Sequence, residues 1–166
     1  METLWAPWRM EYILGENKKE KPGCIFCNRL RRSQDQKDLI LMRSKNAAVI
    51  MNRFPYNNGH LMVMPNRHIG DLQKLNAREI AEIHKLLSLS LDAMNKEIRP
   101  DGFNIGLNLG KVAGAGVADH IHWHIVPRWS GDTNFMPVIS ETKVMPEHLQ
   151  SVYLRLRRAF VEVNKK

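Results

Sequence analysis

Three of the chain's seven histidines fall within five residues, at His120, His122 and His124, alternating with Ile121 and Trp123 and followed by Ile125 and Val126. In an extended strand alternate side chains point the same way, so this spacing predicts three imidazoles on one face and Ile121, Trp123 and Ile125 on the other. A buried imidazole needs partners for its ring nitrogens, which makes packing a poor reason for three of them. Two chemistries fit. Histidines at i and i+2 on a strand can jointly ligate zinc. Alternatively, a neutral imidazole nitrogen can attack phosphorus and divide one hard displacement into two easier ones. Gly114, Ala115 and Gly116 lie just before the histidines; small residues there let backbone N–H groups approach phosphate oxygens, which favours the second chemistry. His84, alone on a helical stretch, reads as structural or surface.

A second group of reactive side chains is the C-x-x-C pair Cys24 and Cys27, the only cysteines in the chain. In a reducing compartment this spacing suggests half of a metal site or a redox pair rather than a structural disulfide. A full metal site requires two more ligands.

The elements that position these residues can be read from hydrophobic period. Residues 39–42, 47–51 and 61–64 are strand-like, the last two separated by the turn-forming run Pro55, Tyr56, Asn57, Asn58 and Gly59, which predicts an antiparallel meander ended by Pro65. Asn76 and Glu79 have the spacing of a capping box. Ile80, Ile83, Leu87, Leu91, Met94 and Ile98 then recur at helical period up to Arg99, where Pro100 disfavours further helix. Residues 103–109 and 120–126 predict two further strands joined by the glycine-rich loop. Pro146 opens a last amphipathic helix through Leu149, Val152, Leu156, Phe160 and Val163. The order implies an α+β fold, an antiparallel sheet with helices on one side. Residues 1–22, with Trp5, Pro7, Trp8 and Tyr12 ahead of a charged run, read as an N-terminal arm, and residues 23–166 as one domain.

Composition narrows the partners. A chain of 166 residues, 43% hydrophobic and 25% charged, buries an ordinary core, and no apolar run approaches the roughly 20 residues that cross a bilayer. The start lacks the basic and apolar regions of a signal peptide, so a cytoplasmic protein is expected. The net charge of +8 favours anionic partners. The basic residues cluster at 18–21, 29–32 and 155–158 without the interleaved aromatics of single-strand binders, so they read first as solvated faces, with nucleotides and nucleic acid the candidate anionic partners and nucleic acid the less expected.

The segment His120-Ile121-His122-Trp123-His124-Ile125-Val126 resembles the H-φ-H-φ-H-φ-φ signature of the histidine-triad (HIT) superfamily, where φ is apolar. The resemblance extends to Met51-Asn52-Arg53, Gly59-His60, residues 65–72 and Asn108-Leu109-Gly110, covering roughly residues 24–130. Leu4-Trp5-Ala6-Pro7-Trp8-Arg9, Gly23-Cys24-Ile25-Phe26-Cys27 and Pro127-Arg128-Trp129-Ser130-Gly131-Asp132 with Asn134-Phe135 are most similar to the branch of dinucleoside polyphosphate hydrolases and bacterial diadenosine tetraphosphate phosphorylases.

That resemblance implies a HIT-like fold, a five-stranded antiparallel sheet with a long helix and a C-terminal helix. It makes His122 the nucleophile on an α-phosphorus and sets His124 on the phosphate and leaving group. Asn108 would meet a phosphate oxygen, Asn52 the ribose, and His60 and Trp129 the rest of the substrate site. Where family members commonly carry glutamine or serine, four residues before the first histidine, this chain has Gly116. Backbone N–H groups of Gly114 and Gly116 would serve instead. His120 would orient the segment and, with Cys24, Cys27 and His68, complete a structural Cys2His2 zinc site, while the chemical step itself would need no metal. The implied reaction splits a dinucleoside polyphosphate through a nucleotidyl-histidine, with inorganic phosphate or water as second nucleophile, in a homodimer. A zinc-dependent hydrolase using the histidine cluster as ligands is the competing expectation.

Overall fold

The computed structural model describes residues 23–132 and 147–165. The proposed arm at 1–22, Asn134, Phe135 and Pro146 lie outside the described residues.

Aliphatic alternation produces five strands: β1 (Ile40–Arg43), β2 (Ala47–Met51), β3 (Leu61–Pro65), β4 (Gly102–Leu107) and β5 (Trp123–Arg128). They form one antiparallel sheet in the order β1-β2-β3-β5-β4. β5 inserts between β3 and β4, so the histidine segment enters the sheet at its interior rather than at an edge. Every residue of β2 and β3 is buried, whereas the edge strand β4 is largely exposed.

Four helices accompany the sheet among the described residues: α1 (Ile25–Leu30), α2 (Asp35–Asp38), α3 (Ala77–Glu97) and α4 (Leu149–Val163). α3 packs on β2 and β3, and α4 on α3 and β1. The arrangement is the expected α+β fold. No helix among the described residues is long and apolar enough to cross a membrane.

The capping box of α3 forms as its spacing predicts. The Asn76 side chain accepts the Glu79 N–H at 3.0 Å, and Glu79 Oε2 accepts the Asn76 N–H at 2.9 Å, a pairing worth about 1 kcal/mol. Glu79 also accepts two bonds from Arg67 and is buried. That commits its position on the helix to the interior and turns Ile80 outward, 53% exposed. The inner stripe therefore starts at Ile83 and continues through Leu86, Ser90, Ala93 and Met94 rather than following the expected positions. On α4 the inner face is Val152, Tyr153, Leu156, Ala159 and Phe160, with the Tyr153 hydroxyl donating to the Ile40 carbonyl. Much of the basic charge in the described clusters is tethered: Arg32 pairs with Asp38, Arg155 with Glu97 and Glu147, and Arg157 donates to the Leu41 carbonyl.

Two strand limits differ from expectation. The alternation over residues 120–126 predicts one strand, yet β5 begins at Trp123, paired with Val63. Pro65 has no N–H to continue that ladder, and its carbonyl accepts the His120 side chain at 2.9 Å. The Ile121 N–H instead donates to the Ile69 carbonyl at 2.7 Å. β4 stops at Leu107, the partner of Trp123, so Asn108 and Leu109 leave the strand.

Candidate active site

The loss of regular pairing before Trp123 gives the three histidines different surroundings instead of one shared face. His120 is fully buried, and its Nε2–H donates to the Pro65 carbonyl. Its Nδ1 is left bare, 3.3 Å from Cys24 Sγ and 3.5 Å from Cys27 Sγ. His68 Nδ1 lies 3.5 Å from Cys27 Sγ, and the four donor atoms of Cys24, Cys27, His68 and His120 all fall within 4.8 Å of one another. A tetrahedral site with bonds of about 2.3 Å to sulfur and about 2.1 Å to nitrogen has sulfur–nitrogen edges of about 3.6 Å, so the set fits such a metal. Both imidazoles have outer partners of the kind metal ligands use: His120 has the Pro65 carbonyl, and His68 Nε2 lies 3.5 Å from Asp119 Oδ2. Burial, with Cys24 alongside, pushes the Cys27 thiol above its ordinary value. The convergence of His68 and His120 on the two sulfurs makes the pair candidate metal ligands.

His122 is 6% exposed, and its Nδ1–H donates to the His120 carbonyl at 2.9 Å. That bond assigns the tautomer: the proton sits on Nδ1 and the Nε2 lone pair is free, with no hydrogen-bond partner among the described residues. Burial lowers the His122 pKa, which keeps the ring neutral. Phe26 packs against it with ring centroids 4.9 Å apart. The ring is thus more enclosed than an open anion pocket in mid-strand would make it.

His124 lies in β5, half-buried, and its Nδ1 sits 2.9 Å from His60 Nε2. His60 Nδ1 accepts the Tyr56 N–H at 3.0 Å and faces Asn52 Nδ2 at 3.3 Å. Nδ1 of His60 is therefore the acceptor, its Nε2–H donates to His124 Nδ1, and the His124 proton is placed on Nε2. Tyr56 stacks over His60 at 4.8 Å, and the His122 and His124 rings are 4.9 Å apart.

The remaining expected residues fall in three places. Asn52 is beside His60, its Oδ1 accepting the Phe54 N–H at 3.0 Å. Asn108 packs against Gly114, where an added Cβ would stand 3.4 Å from Asn108 Nδ2 and φ is +88°. Gly116 is exposed in the same loop. Trp129 is tied elsewhere, its Nε1–H donating to the Arg99 carbonyl at 3.2 Å. Among the described residues His122 and His124 stand outside the cluster of metal donors, so the three histidines do not converge on one ion. Sequence reasoning missed Tyr56, Phe26, the Pro65 carbonyl and Asp119, all of which act by tertiary proximity. Gly70 also escaped notice: a Cβ there would lie 2.7 Å from the Ala118 carbonyl oxygen, so only glycine lets the loop before the histidines pack closely.

A five-stranded antiparallel sheet that presents a neutral, Nδ1-anchored histidine between a partly exposed Cys/His cluster and a second histidine pair defines a class: the chain belongs to the HIT family, whose HIT domain matches residues 33–131. Among its relatives is the AP-4-A phosphorylase of Mycobacterium tuberculosis, 37% identical over 155 residues, which span 90% of this chain and 80% of that protein. The asymmetrical bis(5'-nucleosyl)-tetraphosphatase of Schizosaccharomyces pombe is 29% identical over 116 residues, 69% of this chain and 63% of that one. A zinc-bound histidine triad family protein from Mycobacterium smegmatis superposes with a TM-score of 0.69 at 26% identity, covering 86% of this chain and 96% of its own.

Proposed function

We propose that the chain is a diadenosine tetraphosphate phosphorylase working through a nucleotidyl-histidine on His122. The carrying observation is the bond from His122 Nδ1–H to the His120 carbonyl, which leaves Nε2 as a neutral nucleophile. Nε2 attacks the α-phosphorus, an N–P bond forms, and the bridging P–O bond breaks to release ATP. The carbonyl of His120 then steadies the positive charge on the phosphorylated ring. An oxygen of inorganic phosphate next attacks phosphorus, the N–P bond breaks, ADP leaves and His122 is regenerated. Donors aligned beforehand lower the barrier: the His124 Nε2–H toward phosphate and leaving group, Asn108 toward a phosphate oxygen, and the backbone N–H of Gly116, whereas the Gly114 N–H, expected to help, is already given to the Lys111 carbonyl at 2.9 Å. Asn52 lies on the nucleoside side, backed by His60, whose fully buried ring is spent on the Tyr56 N–H and on His124 and so orients rather than touches the nucleotide.

Identity to the mycobacterial relative over most of the chain favours phosphate as second nucleophile over water. Incubation with diadenosine tetraphosphate should yield ADP and ATP only when inorganic phosphate is present. AMP without ADP would assign a hydrolase instead.

The Cys24, Cys27, His68 and His120 set is proposed to hold one structural zinc. When bound, the ion supplies a cross-link between α1, the loop after β3 and the histidine segment, and no chemical step passes through it. Residues 1–22 are proposed as an arm on a single domain, 23–166. The protein is proposed to be cytoplasmic and to pair as a homodimer through α3 and the neighbouring strand, where Ile105 on the exposed edge is 46% accessible.

A further inference from the structure

The turn that carries Tyr56 and His60 is held by a buried carboxylate that the proposed chemistry does not use. The Asp132 side chain is 7% exposed and receives four donors: Arg128 Nε at 2.7 Å and Nη2 at 2.9 Å, the Trp129 N–H at 3.2 Å, and Asn57 Nδ2 at 2.8 Å. Arg128 is itself anchored to Asn104 Oδ1 on β4 at 2.9 Å. A carboxylate with its lone pairs so occupied stays ionised and fixes the donors around it.

Asn57 passes that order to the turn. Its Nδ2 donates to Asp132 and to the Pro127 carbonyl at 3.0 Å, and its Oδ1 accepts the Asn58 N–H at 3.0 Å, so the amide has one orientation. The Asn57 carbonyl accepts the His60 N–H at 3.1 Å, closing the turn. The residue before Asn57 supplies the N–H that makes His60 Nδ1 an acceptor, and His60 in turn makes His124 Nδ1 an acceptor.

We propose that Asp132 is a positioning residue that, through Asn57, fixes the tautomers of His60 and His124 and so aims the His124 Nε2–H at the transferring nucleotide. This deepens the phosphorylase reading and rests on it. Asp132 touches no reacting atom. Its effect runs along Asp132, Asn57, the 56–60 turn, His60 and His124, a route spanning residues 75 apart in sequence at its first link.

The test uses the full chain, uniformly 15N-labelled, with imidazole long-range correlations read in the unmodified protein, in Asp132→Asn and in Asn57→Ala. The unmodified His60 should show an acceptor Nδ1 and a protonated Nε2, and both variants should shift His60 and His124 toward mixed tautomers. In turnover of diadenosine tetraphosphate with phosphate, Asp132→Asn should lower kcat about tenfold with KM changed less than about threefold, the pattern of a misplaced transition-state donor. On a His124→Ala background the same change should alter kcat less than about twofold. Unchanged imidazole signals, or a kcat loss carried undiminished into the His124→Ala background, would overturn the proposal. If Asp132→Asn does not fold, Asn57→Ala decides by the same readouts, since it leaves the Arg128 pair intact. Absence of turnover in the unmodified protein defeats the functional reading alone, because the imidazole spectra still decide the positioning role.

Discussion

At the residue scale, the distribution of two protons separates the histidines. Nδ1 of His122 donates to a backbone carbonyl, whereas Nδ1 of His124 accepts from His60; equal spacing in the chain therefore yields two opposite tautomers, which the proposed mechanism uses as nucleophile and donor. Spacing announced the trio but could not assign these tautomers, because the deciding partners, the His120 carbonyl and the His60 ring, are set by tertiary structure. The same holds for Asp132, whose carboxyl is lowered to about 2, first by the hydrogen bond from Arg128. Its folded value lies below that of the unfolded chain, so its stabilising contribution is complete above about pH 4 and fades as pH falls toward 2. The melting temperatures of the unmodified protein and Asp132→Asn should accordingly differ at pH 6 and converge between about pH 4 and pH 2. A gap that persists at pH 2 would show that the carboxylate charge is not the stabilising feature.

At the element scale, proline and glycine decide where the histidine segment runs. Pro65 ends the β3–β5 ladder and lends its carbonyl to His120, while Gly70 lets the following loop lie against residues 118 and 119. The strands, the long helix and its capping box were legible because each depends on neighbours within a few residues. The outward turn of Ile80 was not, since it follows from Arg67 meeting Glu79 twelve residues away. Nor was the start of β5, since it depends on a side chain meeting a carbonyl 55 residues away. For Gly70→Ala, the added Cβ would press on backbone at 2.7 Å, and a loss of about 1–3 kcal/mol in denaturant unfolding is expected, with reduced turnover. An unchanged unfolding midpoint would mean that the loop moves freely enough to dispense with that contact.

At the scale of the whole molecule, Cys24 and Cys27, which precede the residues matched by the HIT domain, meet His68 and His120 from within it. C-x-x-C showed half of this site, and the family resemblance supplied the other half before any geometry did. The zinc-loaded protein should carry one ion per chain by elemental analysis and run as a dimer in light scattering. Chelation, or Cys24→Ser with Cys27→Ser, should lower the melting temperature by several degrees, more than about 1 kcal/mol. The loss of stability should exceed the effect on the chemical step measured well below that temperature. Turnover abolished at an unchanged melting temperature would favour a zinc hydrolase.

The central claim is a bond between His122 Nε2 and phosphorus, and trapping that bond tests it most directly. Protein mixed with diadenosine tetraphosphate without phosphate, quenched in alkali to preserve an N–P linkage and digested for mass spectrometry, should show one adenylyl group on the peptide carrying His122. His122→Ala should fold, bind nucleotide and show none. An adduct on another residue, or turnover retained in His122→Ala, would contradict the account.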